Sequence, residues 1–154
     1  MLKLNNTKVF LTESNIKNYL FEIIRQMSKD NFKPDLVIGL VRGGAAPANY
    51  ISQFFNIPCY MINKGVEEVA SIDNITNVLV IDDINDSGKA LTEINNMLFE
   101  FEGHVKYATL LSNEASTFTV DYAGKYINKV ENPCWIVFPW ENWWQVIPEN
   151  VCDD

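Results

Sequence analysis

The chain has 154 residues, 47% hydrophobic and 21% charged, with 12 lysines and arginines against 20 aspartates and glutamates and a net charge of -8. That length suits one domain with a sizeable core, and the hydrophobic share excludes a chain too polar to fold. The excess of acid, with the basic residues scattered, excludes a nucleic-acid partner. No apolar run approaches the roughly 18 residues of a membrane helix, and MLKLNNTKVFLTES has no stretch apolar enough for a signal peptide. The expectation is a single cytoplasmic domain spanning 1–154 that meets no membrane.

Val9 to Leu11 reads as a short strand. Thr12 or Ser14 can cap the following helix, on which Ile16, Leu20, Ile23, Ile24 and Met27 share one face. Asn31 and Pro34 mark its end. Asp35 to Val41 is a continuous apolar run, as for a strand buried on both faces, and Arg42-Gly43-Gly44 breaks it. Ala45 to Phe55 reads as a helix with Pro47 tolerable in its first turn. Ile57 to Ile62 is a strand candidate and Asn63 to Thr76 a polar loop. Val78 to Ile81 is a second fully apolar strand, Lys89 to Phe101 an amphipathic helix, and Val105 to Leu111 a further strand. From Lys129 the tail reads as short, aromatic and irregular, with prolines bracketing Cys134 to Phe138. Strands alternating with helices predict an α/β fold with a mainly parallel sheet flanked by helices.

Cysteine and histidine offer little chemistry. Cys59, Cys134 and Cys152 are scattered and odd in number, which argues against a disulfide framework or a structural zinc site. His104, the only histidine, reads as part of a surface turn.

The dense chemistry lies between Val78 and Ala90, VLVIDDINDSGKA. Asp82 and Asp83 follow a buried strand, Asp86 comes three residues later, and Ser87-Gly88-Lys89 leads into a helix. A helix N-terminus attracts phosphate, and paired carboxylates suit sugar hydroxyls and a hard cation. Either feature alone is ordinary: two aspartates can end a strand, and Asp86 can cap a helix. The whole pattern resembles the PRPP-binding signature of type I phosphoribosyltransferases. Val37 to Gly44, VIGLVRGG, resembles that family's pyrophosphate loop, and Trp135 to Glu141, WIVFPWE, resembles the base-binding end of bacterial xanthine-guanine phosphoribosyltransferases. The resemblance runs from about Lys8 to Glu141.

The resemblance implies the type I phosphoribosyltransferase fold with a small C-terminal base-binding hood. It implies a purine-salvage transferase that moves ribose 5-phosphate from PRPP to guanine, xanthine or hypoxanthine, with Mg2+ as cofactor and release of pyrophosphate. By similarity Asp82 and Asp83 hold the ribose hydroxyls and reach the metal, Asp86 accepts a proton from the base, and Asp86, Ser87, Gly88, Lys89 and Ala90 cradle the 5′-phosphate. Arg42, Gly43 and Gly44 bind pyrophosphate, behind a peptide bond that the resemblance makes cis. Trp135 stacks on the base, the backbone around it and Ile136 touches the base edge, and Asn113 faces the base's 6-position. Core packing and subunit contact are rival uses for Trp135. The family implies homodimers or homotetramers.

Three positions depart from the family pattern. Ser87 replaces threonine and keeps the hydroxyl. Ala90 replaces a frequent threonine, and one lost hydrogen bond to a charged group costs about 1.5–3 kcal/mol. Asn113 stands where 6-oxopurine enzymes place lysine, and an amide both donates and accepts. The Asn63 to Thr76 loop is also short for a lid. These departures leave two alternatives: a transferase for adenine or a pyrimidine, and a non-catalytic regulator sensing PRPP or nucleotides.

Overall fold

Strand β1 (Thr7–Phe10) opens the computed structural model, which describes residues 7–63 and 74–145. Helix α1 (Glu13–Lys29) starts at Thr12, whose hydroxyl accepts the Asn15 N–H at 3.1 Å while Asn15 Oδ1 accepts the Thr12 N–H at 2.9 Å. Two N–H groups without helical partners are thus satisfied reciprocally. Ile16, Leu20, Ile23 and Met27 are buried as expected, with Ile24 at the edge of the same core.

Strand β2 (Leu36–Val41), helix α2 (Ala45–Phe55), strand β3 (Cys59–Asn63), strand β4 (Asn77–Asn85), helix α3 (Lys89–Met97), strand β5 (His104–Asn113), strand β6 (Tyr122–Ile127) and strand β7 (Cys134–Val137) follow, then a 3-10 turn at Trp143–Gln145. Five strands form a parallel sheet in the order β3-β2-β4-β5-β6. Successive residues of a strand face opposite ways, and the apolar runs supply both cores. Val37, Leu79, Ile81, Ala108 and Leu110 pack under α1 and α2. Leu36, Ile38, Val78 and Val80 pack with Leu91, Ile94 and Leu98 of the α3 segment on the other face. Tyr107 donates its O–H to Asn95 at 2.9 Å, and burial, with Asp121 adding, pushes that phenol up to about 12. From β2 the chain steps to β3 on one side and then to β4 on the other. That reversal opens a crevice at the carboxyl ends of β2 and β4.

Four elements differ from the sequence expectation. Strand β4 does not end at Ile81: it continues through both aspartates to Asn85, pairing Asp82 with Thr109 and Asn85 with Ser112. The polar end is tolerated because the Asn85 amide donates to Ser112 Oγ at 3.1 Å and Phe118 O at 2.7 Å. Helix α3 stops at Met97, and Phe101 joins the second core from the turn beyond it. Strand β6 carries no continuous apolar run, and α1 holds it through Gln26, which exchanges two hydrogen bonds with the Ala123 backbone at 2.8 and 3.1 Å. The tail is more regular than expected: Cys134–Val137 pairs in parallel with Thr7–Phe10, so Lys8 stands beside Trp135. The expected hood exists, and half of it comes from β1. His104 begins β5 with an exposed side chain, rather than sitting in a turn. Of the expected lid loop, residues 64–73 lie outside the described residues.

Candidate active site

The carboxyl end of β2 forms the first loop. The Val41–Arg42 peptide is cis, as the resemblance implies. Arg42 is exposed, and Gly44 N–H donates to Leu40 O at 2.7 Å before α2 begins. A Cβ on Gly43 would lie 2.1 Å from Asp83 Oδ2, inside any permitted contact. Glycine therefore lets this loop close onto the carboxylate of the neighbouring strand.

The second loop leaves β4. Asp82 is 2% exposed and its Oδ1 accepts the Asp83 N–H at 2.9 Å, while Asp83 Oδ1 accepts the Ile84 N–H at 2.8 Å. Asp83 is half-buried and lines two cavities, one on each side. The smaller, about 170 Å³, is bounded by the run from Asp82 to Leu91 and so holds Asp86, Ser87, Gly88, Lys89 and Ala90. Gly88 caps α3 with φ 91°, and a Cβ there would meet Phe118 N at 2.7 Å. Only glycine adopts that geometry freely. The segment after β5 backs this turn: Thr117 donates its N–H and its hydroxyl to Ser87 O at 3.2 and 2.8 Å, and Ser116 Oγ donates to Asn85 Oδ1 at 2.7 Å. Ser87 Oγ accepts the Lys89 N–H at 3.3 Å. The helix N-terminus is thereby aimed into the cavity, the arrangement that favours an anion.

Asp86 does not cap the helix. Its Oδ1 accepts from the Asn113 amide at 3.0 Å, and its Oδ2 pairs with Lys129 Nζ at 2.8 Å. Asn113 is 9% exposed, and its Oδ1 is taken by the N–H groups of Ala115 and Lys129, both at 3.3 Å. The expectation that Asn113 both donates and accepts therefore narrows, since its acceptor atom is already engaged. Sequence reasoning singled out Asp86 and Asn113 but not Lys129, which the fold brings against Asp86. Nothing local marks a lysine in the loop after β6 as the partner of an aspartate 43 positions earlier.

The larger cavity, about 770 Å³, lies between the first loop and the two-stranded sheet. Lys8, Arg42, Gly43, Asp83, Trp135, Trp140 and Glu141 line it. That volume matches ordinary small-molecule sites. Trp135 is 61% exposed, which excludes core packing as its role. Strand alternation points Trp135 and Val137 to the cavity, while Ile136 packs against the first core. Trp140 stacks on Phe138 with centroids 5.1 Å apart, and Glu141 Oε2 accepts the Phe138 N–H at 2.9 Å. Lys8 is a second cation of this cavity that sequence reasoning did not single out.

Among the described residues no group of three or more His, Cys, Asp or Glu is placed to hold a metal by itself. Asp82 and Asp83 fit a different arrangement. Magnesium is commonly held by one or two carboxylates plus substrate phosphate oxygens, and Asp83 faces the cavity beside Arg42 and Gly43.

A parallel α/β sheet with a glycine loop, a carboxylate loop and an anion-ready helix at its switch point is a frame suited to a phosphorylated ligand. The profile of the phosphoribosyl transferase domain matches residues 9–146, and the chain belongs to that family. A xanthine-guanine phosphoribosyltransferase of Nitratidesulfovibrio vulgaris is 28% identical over 118 residues, covering 69% of this chain and 68% of the relative. Among solved structures, a purine phosphoribosyltransferase from Pyrococcus horikoshii superposes with a TM-score of 0.74 at 25% identity, covering 87% of this chain and 94% of that one. The xanthine-guanine-hypoxanthine phosphoribosyltransferase of Helicobacter pylori shares the fold with a TM-score of 0.80 at 20% identity, over 90% of this chain and 97% of that one.

Proposed function

We propose that this phosphoribosyltransferase transfers ribose 5-phosphate from PRPP to a 6-oxopurine, guanine, xanthine or hypoxanthine, with release of pyrophosphate, as a cytoplasmic salvage enzyme. The observation that carries the reading is the contact between Gly43 and the Asp83 carboxylate. It sets a diphosphate cradle directly against the groups that suit a ribose, so one PRPP molecule can span both loops.

In this reading the turn from Asp86 to Ala90 holds the 5′-phosphate through N–H groups and the Ser87 hydroxyl. Asp82, nearly enclosed, and Asp83 accept from the ribose hydroxyls. Arg42 and the backbone of Gly43 and Gly44 hold the pyrophosphate and stabilise its charge as the bond from the anomeric carbon to its oxygen breaks. The base nitrogen forms the new bond to that carbon, and its displaced proton passes to Asp86 through lone pairs that Asn113 and Lys129 leave open. Trp135 offers an exposed ring on which the base stacks, with the Ile136 backbone at its edge. Asp83 and Asp82 would hold Mg2+ together with substrate oxygens, and the ion would supply positive charge to the leaving group.

Incubation with PRPP, Mg2+ and a panel of free bases tests the reading: a 6-oxopurine nucleoside monophosphate is the expected product. Absence of product with every purine overturns it, and turnover with adenine or a pyrimidine alone supports the first alternative. Self-association into homodimers or homotetramers belongs to the same proposal. The exposed Phe21 and Phe54 beside the apolar groove between α1 and α2 support it, and sedimentation velocity measures it.

A further inference from the structure

We infer that Thr109, in the middle of β5, is a positioning residue that steadies the Asp82 carboxylate when a sugar hydroxyl binds it. The inference rests on the transfer reading, in which Asp82 accepts from the ribose, and deepens it. Thr109 is fully enclosed, at 0% exposure, and its hydroxyl has no hydrogen-bond partner among the described residues. Buried polar side chains are nearly always paired, and one that is not calls for a reason. Valine has the same branched shape without the polar atom, so packing alone gives no reason for a hydroxyl here.

The sheet register supplies one. Thr109 stands opposite Asp82 on β4 and opposite Ala123 on β6. Val80 and Ala123 belong to the core under α3, and alternate residues of a strand share a face. Asp82 and Thr109 therefore project from the same face, side by side, on strands about 4.8 Å apart. Of the two cross-strand neighbours of Thr109, Ala123 has no side-chain acceptor. Asp82 is the acceptor that a side-chain rotation brings within reach of the hydroxyl.

Asp82 needs a further donor most when a ligand is seated. It lines the smaller cavity, and its Oδ1 accepts the Asp83 N–H at 2.9 Å. A ligand in that cavity takes away the last water that reaches this nearly enclosed carboxylate. A buried charge cut off from water must be met by donors, or binding is weakened. The two oxygens of a carboxylate offer about four lone-pair sites. A sugar hydroxyl can then donate from the cavity side while Thr109 donates from the core side. The hydroxyl that is unpaired in the free protein gains its bond on binding, so its value appears in affinity and not in folding.

The test compares the full chain with Thr109→Val and Thr109→Ser, by thermal unfolding and by calorimetry with ribose 5-phosphate and with inorganic phosphate. In Thr109→Val, ribose 5-phosphate should bind about tenfold more weakly, the low end for a hydrogen bond to a charged group. Inorganic phosphate, which has no sugar hydroxyl to offer Asp82, should bind as before. The melting temperature should hold or rise, because an unpaired buried hydroxyl has been removed. Thr109→Ser should recover the affinity for the sugar phosphate. A hydroxyl that merely braces the core predicts the opposite sign, a valine variant that melts lower or fails to fold, and that outcome overturns the inference. So does a valine variant that binds ribose 5-phosphate as tightly as the wild type, or a wild type that binds neither ligand. The PRPP assay separates the two levels. The expected pattern without transfer to any base sinks the transfer reading and keeps the role of Thr109. Transfer by the wild type, with sugar-phosphate affinity unchanged in the valine variant, does the reverse.

Discussion

In the proposed reading, the ribose-phosphate half and the base half of the site are assembled in different ways. The first hangs from two adjacent strands of the five-stranded sheet and uses two short continuous runs, Arg42 to Gly44 and Asp82 to Ala90. The second is gathered from Asn113 at the end of β5 and Trp135 on β7, which pairs with β1. A group common to every reaction of the family can be written into contiguous backbone. A group that varies is read by side chains on separate elements, each replaceable without disturbing the cradle.

Substitutions can break or sharpen that division. Asp86→Asn should have the largest effect: kcat falls by about 10²–10⁴-fold, the range for a lost proton acceptor, while PRPP affinity by calorimetry barely moves. Equal falls in both would refute the role of Asp86 as the proton acceptor. Gly88→Ala comes next, because its φ of 91° and the Phe118 backbone both reject a Cβ. A loss of about 1–3 kcal/mol in urea unfolding is expected, together with weaker PRPP binding. Full retention of both would mean that the turn is not held as described. Trp135→Ala should raise the KM for the base by the equivalent of about 1–3 kcal/mol, the range for base stacking. Its exposure predicts an unchanged melting temperature, and a drop would return Trp135 to a packing role. Ala90→Thr is the smallest and has the opposite sign. A restored hydroxyl should tighten PRPP binding by about tenfold, the low end of the range for a hydrogen bond to a charged group, provided the position, partly packed against the second core, admits the extra atoms.

The sequence was most informative where physics is local. Val37 to Val41 and Val78 to Ile81 announced buried parallel strands because both faces of each are covered, and the Asp82 to Ala90 run carried its own turn and helix start. Strand β4 ran past its apolar part because Asn85 finds partners on β5 and the segment beyond, which no local pattern reports. Strand β6 was illegible because its hold on α1 is a side chain reaching its backbone, Gln26 to Ala123. Lys129 was illegible for the same reason. Its meaning lies in a partner brought near only by the fold, and the tail looked irregular because its pairing strand sits at the far end of the chain.

That last pairing has a consequence for the order in which the protein becomes competent. The parallel sheet, both cores and the phosphate cradle draw mainly on residues up to about 127, whereas the roof of the large cavity needs Cys134–Val137 laid against Thr7–Phe10. During synthesis the first strand therefore cannot complete this pairing until Cys134–Val137 has emerged. A chain halted by a stop codon before Cys134 would lack β7 and leave β1 without the strand it pairs with.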